Sequence, residues 1–188
     1  SKKASNLDET SIIMVGRLVP VKGYERVIGL AKELKANYPN WKIKIFGEGE
    51  LKEEIINLIQ ENNLNNITLY NFSKNIDLEY IKSSIYLSTS YSEAMPMVFL
   101  EAMSCGLPVV SFRNEGAEVL IQDGTEGYIV DNEDQLIKIT SQLIENYELR
   151  KFMGDNGLRK AQMYNPEIIK TKWLDLIEKL NESSRGKL

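Results

Sequence analysis

The sequence predicts an α/β fold: a Rossmann-like, doubly wound parallel sheet of about six strands with helices on both faces. Short runs of aliphatic and β-branched residues, such as SIIMV at 11–15, alternate with longer stretches of helical periodicity along most of the chain. Strands that alternate with helices form parallel sheets, because each return to the sheet needs a crossover. A chain of 188 residues is long enough to bury one such core.

The individual elements follow from the period of the apolar residues. The first predicted helix, for example, places Val27, Leu30 and Leu34 on one stripe. The predicted strands are 11–15, 42–46, 67–70, 85–89, 108–112 and 127–130. The predicted helices are 24–38, 50–62, 77–84, 97–105 and 115–121, followed by three amphipathic stretches between about 133 and 181.

The two ends of the chain differ from the region between them. The predicted organisation is a linker or tail at 1–10, one domain at 11–165, a C-terminal helix at 166–181 and a frayed tail at 182–188. Trp41 and Trp173 are predicted to be packing anchors. An amphipathic stretch as late as Trp173 to Leu180 needs a surface to cover, and we expect a further domain to supply it.

Composition excludes several classes of function. The net charge is −4, and the Lys and Arg residues are spread along the chain, so we expect no nucleic-acid partner. With one cysteine, Cys105, and no histidine, neither an internal disulfide nor a usual zinc site is expected, and no metal is predicted. No apolar run has the length of a membrane span or the pattern of a signal peptide, so a cytoplasmic location is expected.

The loop GRLVPVKG after the first strand carries two cations beside two glycines. Gly16 precedes Arg17, and Lys22 precedes Gly23. An Arg fork and a mobile Lys charge together suit a diphosphate and can neutralise it without a metal. The alternative is a solvated pair of surface cations beside a turn.

The stretch SEAMPMVFLEAMSCGLPVV carries two carboxylates in an apolar run. If Pro96 is the first helical residue, the next free amides are those of Met97 and Val98, and a helix N-terminus of this kind binds anions. Glu93 then lies before the helix and Glu101 lies about 7 Å along it. The pair fits a ligand with hydroxyls on both sides of a diphosphate, as in a sugar nucleotide. The alternative is an exposed Glu101 and a Glu93 that only complements the helix dipole.

The loop FGEGE is not a dinucleotide fingerprint. Gly47 and Gly49 follow a strand, but the third glycine of the pattern is replaced by Lys52. We interpret the two glycines as a tight turn that also lets a flat base approach the backbone. An NAD-dependent oxidoreductase is therefore disfavoured.

The ordered set GRLVPVKG, IFGEGE, SYSEAMPMVFLEAMSCGLPVV and DGTEGYIV resembles the C-terminal, nucleotide-sugar-binding domain of the family-four retaining glycosyltransferases. These are two-domain enzymes of the GT-B architecture. The resemblance covers about residues 11–165, and its Glu-x7-Glu motif is highly specific. One position departs from the family: Ala94 stands where glycine is common, which raises the question of strain at a positive φ.

The resemblance implies roles for particular residues and a chemistry. Arg17, Lys22 and Glu93 are the implied catalytic residues, with the cations on the donor diphosphate and Glu93 at the transferred sugar. Glu101 is the implied ribose ligand. The implied donor-binding set is Gly16, Arg17, Lys22, Glu93, Met95, Pro96, Met97, Val98 and Glu101, and the loops near the base contain Gly47, Phe72 and Ser73. The implied reaction is retaining transfer without a metal or cofactor, from a nucleoside-diphosphate sugar in which UDP is favoured over GDP or ADP.

The resemblance also implies what lies outside this chain. Acceptors in the family bind mainly to an N-terminal domain, for which this chain has no room, so we expect the chain alone to be inactive in transfer. A glycan or lipid-linked acceptor is expected, with peripheral association of the full-length protein at the inner face of the membrane. The alternative function is a non-catalytic nucleotide-sugar-binding or regulatory subunit of a split glycosyltransferase.

Overall fold

The computed structural model describes residues 4–185, with side chains through residue 180. Its centre is a six-stranded sheet in the order β3-β2-β1-β4-β5-β6, and every neighbouring pair is parallel. The strands are β1 (Ser11–Val15), β2 (Lys42–Phe46), β3 (Ile67–Tyr70), β4 (Ile85–Ser88), β5 (Val109–Phe112) and β6 (Gly127–Val130). The predicted fold class is confirmed.

Helices connect the strands and close the two faces of the sheet. Two short 3₁₀ turns, Pro20–Lys22 and Tyr24–Val27, precede the first α-helix, so the helix predicted from residue 24 begins four residues later. The helices are α1 (Ile28–Asn37), α2 (Lys52–Glu61), α3 (Ile76–Ile81), α4 (Met97–Ser104), α5 (Glu115–Leu120), α6 (Glu133–Glu145), α7 (Tyr147–Met163) and α8 (Pro166–Arg185).

The core has one layer on each face of the sheet, and β1 contributes to both. Ile12 and Met14 pack in the layer that contains α1, α2 and α6, whereas Ile13 packs in the layer of α3, α4 and α5. All three side chains are at most 2% exposed. Successive residues of a strand point to opposite faces, so a strand covered on both sides is apolar throughout.

The amino-terminal stretch predicted as a linker or tail is joined to the domain over its described part. Ser5 N donates to Cys105 O at 2.8 Å, and Leu7 is buried. The guanidinium of Arg150, itself buried, donates to Leu7 O at 3.0 Å and to carbonyls at the end of α6. Residues 5–7 therefore belong to the packed body. Residues 1–3 lie outside the described part of the chain.

The last helix departs from two expectations. It runs to Arg185, through residues predicted to be a frayed tail, while residues 186–188 lie outside the described region. Trp41 is buried as predicted, but the prediction of a packing anchor at Trp173 is wrong, because its side chain is 61% exposed. Every described side chain of α8 from residue 170 onward is exposed, since the helix leaves the body of the domain after its first turn.

Candidate functional site

The site lies where the order of the strands reverses. β1 is flanked by β2 on one side and by β4 on the other, and the chain continues from β1 and β4 to helices α1 and α4 on opposite faces of the sheet. In open α/β sheets this switch point is where ligands bind. We call residues 16–23 the β1 loop and residues 89–96 the β4 loop.

The two loops are bonded to each other. Tyr91 N donates to Val21 O at 2.8 Å, and Thr89 Oγ1 donates to Lys22 O at 2.8 Å. The ammonium of Lys22 forms an ion pair with Oε1 of Glu93. These bonds run from backbone to backbone, side chain to backbone and side chain to side chain, so the loops form one rigid rim.

Arg26 also stabilises this rim, through contacts with the β4 loop and with β5. Its Nη1 donates to Thr89 O at 3.1 Å, and its Cζ lies 3.2 Å from the ring centroid of Phe112 and 4.7 Å from that of Tyr91. Burial, the largest effect, lowers the pKa of this guanidinium, although Arg remains charged at any physiological pH. Arg26 thus holds the β4 loop over the end of β5.

A pocket of about 380 Å³ opens at this rim, and we call it the switch-point pocket. Its walls come from the ends of β1 and β2, the segment after β3, and α4. Of the residues predicted from sequence, it is lined by Gly16, Arg17, Gly47, Phe72, Ser73, Val98 and Glu101. The structure therefore brings most of the predicted site, including the residues assigned to the base, into one cavity.

Arg17 and Gly47 determine the mouth of the switch-point pocket. Arg17 is exposed and makes no ion pair with any residue that the structure describes. Gly47 lies so close to the neighbouring loop that a Cβ there would come within 2.0 Å of Gly16 O. The absence of a side chain at Gly47 lets the two loops approach and leaves the Arg17 guanidinium available to a ligand.

Helix α4 begins at Met97, the first residue of the predicted helix 97–105, and not at Pro96. Pro96 has φ −75° and ψ 97° and is the residue before the helix, so the expectation that it is the first helical residue is wrong. The extended ψ lets the β4 loop meet the helix. Phe99 N donates to Pro96 O at 3.0 Å, which leaves Met97 N and Val98 N as the first two amides without intrahelical acceptors. The predicted pair of amide donors is unchanged by the shift.

Lys22 and Glu93 lie apart from the switch-point pocket. Both line a narrow cavity of about 10 Å³ on the β4 side of the rim, together with Tyr24 and Ser90. Ser90 Oγ donates to Glu93 Oε1 at 2.8 Å, so one carboxylate oxygen is held by both a hydroxyl and an ammonium. The prediction placed Lys22 on a diphosphate. In the structure its partner is Glu93, because the two loops lie within side-chain reach of each other.

Neutral phenols surround Glu93. Burial, followed by the charge of Glu93, raises the pKa of Tyr24 above its usual range. Burial, followed by the nearby Tyr24 and Glu93, raises the pKa of Tyr86. Both hydroxyls therefore stay protonated at neutral pH. The side-chain hydrogen bonds of Glu93 come from Lys22 and Ser90.

Two further predicted residues, Met95 in the β4 loop and Met97 at the start of α4, are at the surface. Met95 is 42% exposed and lines neither cavity at the rim, whereas Met97, 57% exposed, lines a separate cavity on the far side of α4. Ala94 is not among the described non-glycine residues with positive φ, which are Leu7 and Asn63. The alanine is thus accommodated without the backbone strain that its position raised.

Three further residues contact the site, and the sequence analysis did not single them out. Asn114, the N-cap of α5, accepts from Ala117 N at 2.9 Å and donates to Ser90 O at 3.3 Å. Gly116 N donates to Glu93 O at 2.7 Å. Tyr80 OH donates to Glu101 Oε2 at 3.2 Å. An Asn directly before a helical stretch is a visible capping signal, but nothing in the sequence shows that Tyr80 reaches Glu101.

Comparison with known proteins identifies the family. Residues 1–160 match the family described as Glycosyl transferases group 1, so the chain belongs to the group 1 glycosyltransferases. An uncharacterized glycosyltransferase of Haemophilus influenzae is 31% identical over 182 residues, which cover 93% of this chain and 51% of the relative. The amylovoran biosynthesis glycosyltransferase AmsD of Erwinia amylovora is 31% identical over 173 residues, covering 90% and 48%. The chain spans about half the length of these relatives.

Solved structures agree with this assignment. TarM of Staphylococcus aureus, crystallised with UDP, fondaparinux and α-GlcNAc-glycerol, matches with a TM-score of 0.84 and 27% identity over 94% of this chain and 36% of TarM. The C-terminal domain of a group 1 glycosyltransferase from Francisella tularensis has the same fold, with a TM-score of 0.74 and 24% identity over 86% of this chain and 87% of that one. The fold is that of the C-terminal domain of GT-B glycosyltransferases, as predicted.

The described residues contain neither a candidate membrane span nor a group of candidate metal ligands. No helix between residues 4 and 185 combines the length and hydropathy of a transmembrane span. Within the same part of the chain, no three His, Cys, Asp or Glu side chains are grouped as metal ligands.

Proposed function

We propose that this chain binds a nucleoside-diphosphate sugar and stabilises the nucleoside diphosphate as it leaves during glycosyl transfer. The observation that carries the proposal is the switch-point pocket, in which an uncompensated Arg, the amide end of a helix and a carboxylate line one cavity. The Arg and the helix amides suit the diphosphate, and the carboxylate suits the ribose hydroxyls.

The diphosphate is assigned to Arg17 and the start of α4. Guanidinium groups bind phosphate oxygens through two parallel hydrogen bonds, and helix amides add donors and a favourable dipole. Arg17 has no described anionic partner to give up on binding, whereas Lys22 must loosen its contact with Glu93 before it reaches a phosphate. In this proposal Arg17 therefore contributes more to nucleotide affinity than Lys22 does.

The nucleoside is assigned to the rest of the switch-point pocket. Glu101 accepts hydrogen bonds from the ribose hydroxyls, and the base lies between Gly47 and the segment of Phe72 and Ser73. Phe72 is 68% exposed, so its ring is available to pack on a flat base. UDP is our first choice of nucleotide over GDP and ADP, a choice supported by the presence of UDP in the TarM crystal.

The proposed reaction needs no metal or cofactor. Negative charge develops on the departing diphosphate, where Arg17 and the first amides of α4 stabilise it. The bond from the anomeric carbon to the diphosphate oxygen breaks while the acceptor oxygen bonds to the same face of the sugar, which gives retention, and the acceptor proton passes to the departing diphosphate. Glu93 lies near that sugar. We assign binding of a glycan or lipid-linked acceptor, at the cytoplasmic side of the membrane, to parts of the longer protein outside this chain.

Thermal unfolding with nucleotides tests donor binding. A ligand at about 100 times its Kd stabilises by roughly 2.7 kcal/mol, which raises Tm by several degrees in a domain of this size. We expect UDP to protect more than GDP or ADP, and NAD to give no protection. Arg17→Ala and Glu101→Ala should remove the protection, whereas the exposed controls Arg159→Ala and Glu54→Ala should keep it.

Two results would contradict the proposal. Protection by none of the four nucleotides would contradict a nucleoside-diphosphate site in this chain, and stronger protection by NAD than by UDP, GDP or ADP would indicate a dinucleotide site instead. A separate assay of sugar transfer to added acceptors tests whether the chain needs a second domain for activity. We expect no transfer, and measurable product would show that this chain is catalytically complete.

A further inference from the structure

Tyr80 contacts the pocket carboxylate from inside the core. It lies in α3, its side chain is 0% exposed, and its hydroxyl donates to Glu101 Oε2 at 3.2 Å. Glu101, on α4, is partly exposed and lines the switch-point pocket. Tyr80 is therefore fully buried, yet it is hydrogen-bonded to a residue that lines the switch-point pocket.

The ring of Tyr80 is held in a fixed place. Its centroid lies 6.1 Å from that of Tyr86 in a tilted arrangement, and Tyr86 in turn meets Phe99 edge to face at 5.7 Å. Tyr86 and Phe99 are also fully or almost fully buried. Because closely packed aromatic rings have few alternative rotamers, the Tyr80 hydroxyl is a donor at a defined point in space.

The two oxygens of Glu101 differ in their surroundings. Oε2 accepts from Tyr80, while no residue in the described part of the chain donates to Oε1. Burial, then the nearby Tyr86 and Glu101, raises the pKa of the Tyr80 phenol, so it remains a proton donor throughout the neutral range. A carboxylate has about four acceptor positions, and one of these is occupied by Tyr80.

We propose that Tyr80 is a positioning residue of the ribose subsite. Its hydroxyl fixes Oε2 of Glu101 and thereby orients the carboxylate to accept hydrogen bonds from both ribose hydroxyls. The proposal rests on the function proposed above. A Glu side chain has three rotatable bonds, and restricting them before the ligand arrives removes part of the entropy cost of binding. Tyr80 touches no ligand itself and acts only through Glu101.

The test compares UDP with 2′,3′-dideoxyuridine 5′-diphosphate, which lacks the ribose diol, by calorimetric titration of the chain. In the wild type we expect UDP to bind roughly 10 to 100 times more tightly than the dideoxy compound, because the diol donates to a charged acceptor. Tyr80→Phe should weaken the binding of UDP about three- to tenfold and change the affinity for the dideoxy compound by less than about twofold. Tyr86→Phe is the control, since it removes a buried hydroxyl that donates to Val15 O at 3.4 Å and not to Glu101.

The same variants in a Glu101→Ala background separate positioning from packing. There, Tyr80→Phe should have no further effect on UDP, because the group that it positions is gone. If Tyr80→Phe weakens both nucleotides equally, or weakens UDP equally with and without Glu101, Tyr80 is only a packing residue and the inference is wrong. A wild-type chain that binds none of UDP, GDP and ADP overturns the proposed function, and the inference with it.

A second variant leaves the core unchanged. Glu101→Asp shortens the side chain by one methylene, which takes the carboxylate out of reach of Tyr80 while an acid stays in the pocket. We expect its preference for UDP over the dideoxy compound to fall to about the level of Tyr80→Phe. A preference equal to that of the wild type would overturn the inference, even if Tyr80→Phe did not fold.

Discussion

The ammonium of Lys22 and the carboxylate of Glu93 join the loops after β1 and β4 in one ion pair, with 17% and 15% of the two side chains exposed. Each residue thus neutralises the other beside the proposed diphosphate position. A ligand that draws Lys22 away leaves Glu93 with Ser90 as its remaining partner at Oε1. In the proposed function the pair therefore competes with the diphosphate for Lys22, while it also joins the two loops.

Removal of the negative charge at position 93 should release Lys22. We expect Glu93→Gln to tighten UDP binding about two- to fivefold, because the partly exposed pair has a modest interaction energy and the amide does not compete for the ammonium. Calorimetric titration measures the change, and Glu118→Gln, which breaks an exposed ion pair with Arg113, is the control expected to have no effect. Weaker binding by Glu93→Gln would show that the carboxylate supports the nucleotide instead.

Gly47 should not tolerate a side chain. Gly47→Ala places a methyl group against Gly16 O, which is backbone and cannot turn away, so we expect about 1–3 kcal/mol of lost stability and weaker UDP binding. Gly29→Ala is the matched control in α1, where the nearest atom is the end of the Glu133 side chain at 3.0 Å. Alanine in a helix should be neutral or stabilise by up to about 1 kcal/mol. Urea unfolding of both variants measures the difference, and equal effects would contradict it.

Two asparagine caps allow a matched comparison. Asn114 and Asn132 each accept from a backbone amide at the start of a helix, but Asn114 is buried and also holds Ser90 O, whereas Asn132 is exposed. Asn132→Ala should cost about 1 kcal/mol and leave UDP binding unchanged. Asn114→Ala should cost about 2–3 kcal/mol and weaken UDP binding, because the β4 loop loses an anchor. Identical effects of the two variants on binding would exclude this role for Asn114.

Stability should fall at alkaline pH for a local reason. The pKa values of Tyr24, Tyr80 and Tyr86 are raised in the folded chain, chiefly by burial. Their stabilising contribution is therefore complete below the unfolded pKa of about 10 and is lost as pH rises above it, at about 1.4 kcal/mol per pH unit for each phenol. Urea midpoints and phenolate absorbance against pH measure this. Ionisation of all nine tyrosines near pH 10 in the folded chain would contradict it.

The fold and the members of the switch-point pocket were predictable because they depend on local periodicity and on one topological rule. Strands such as 11–15 and 42–46 have the predicted bounds, and residues that follow parallel strands must meet at one edge of the sheet. The side-chain pairing of Lys22 with Glu93 was not predictable. The pairing depends on the distance between two loops in the folded chain, and the two residues are 71 positions apart in the sequence.

Other differences also arise from tertiary contacts. Pro96 is extended because the β4 loop is tied to α5 through Gly116 and Asn114, which outweighs the preference of Pro for the first helical position. Trp173 is a large apolar residue of the kind that anchors a helix by packing, but whether it packs against a surface depends on the path of α8. The contact between Tyr80 and Glu101 requires α3 and α4 to pack side by side, and no spacing in the sequence specifies it.

The pairing of β1 with β4 has a consequence for how this chain is made. Ile12 pairs with Ile85, so the central seam of the sheet cannot close until the ribosome has released β4, and β1 meanwhile presents an open edge. Contacts this distant in sequence form slowly. Since the β1 and β4 loops meet across that seam, the switch-point pocket is complete only after β4 and α4 have been made. A chain that ended before β4 would leave the β1 edge unpaired, which favours aggregation, and would lack the α4 wall of the pocket.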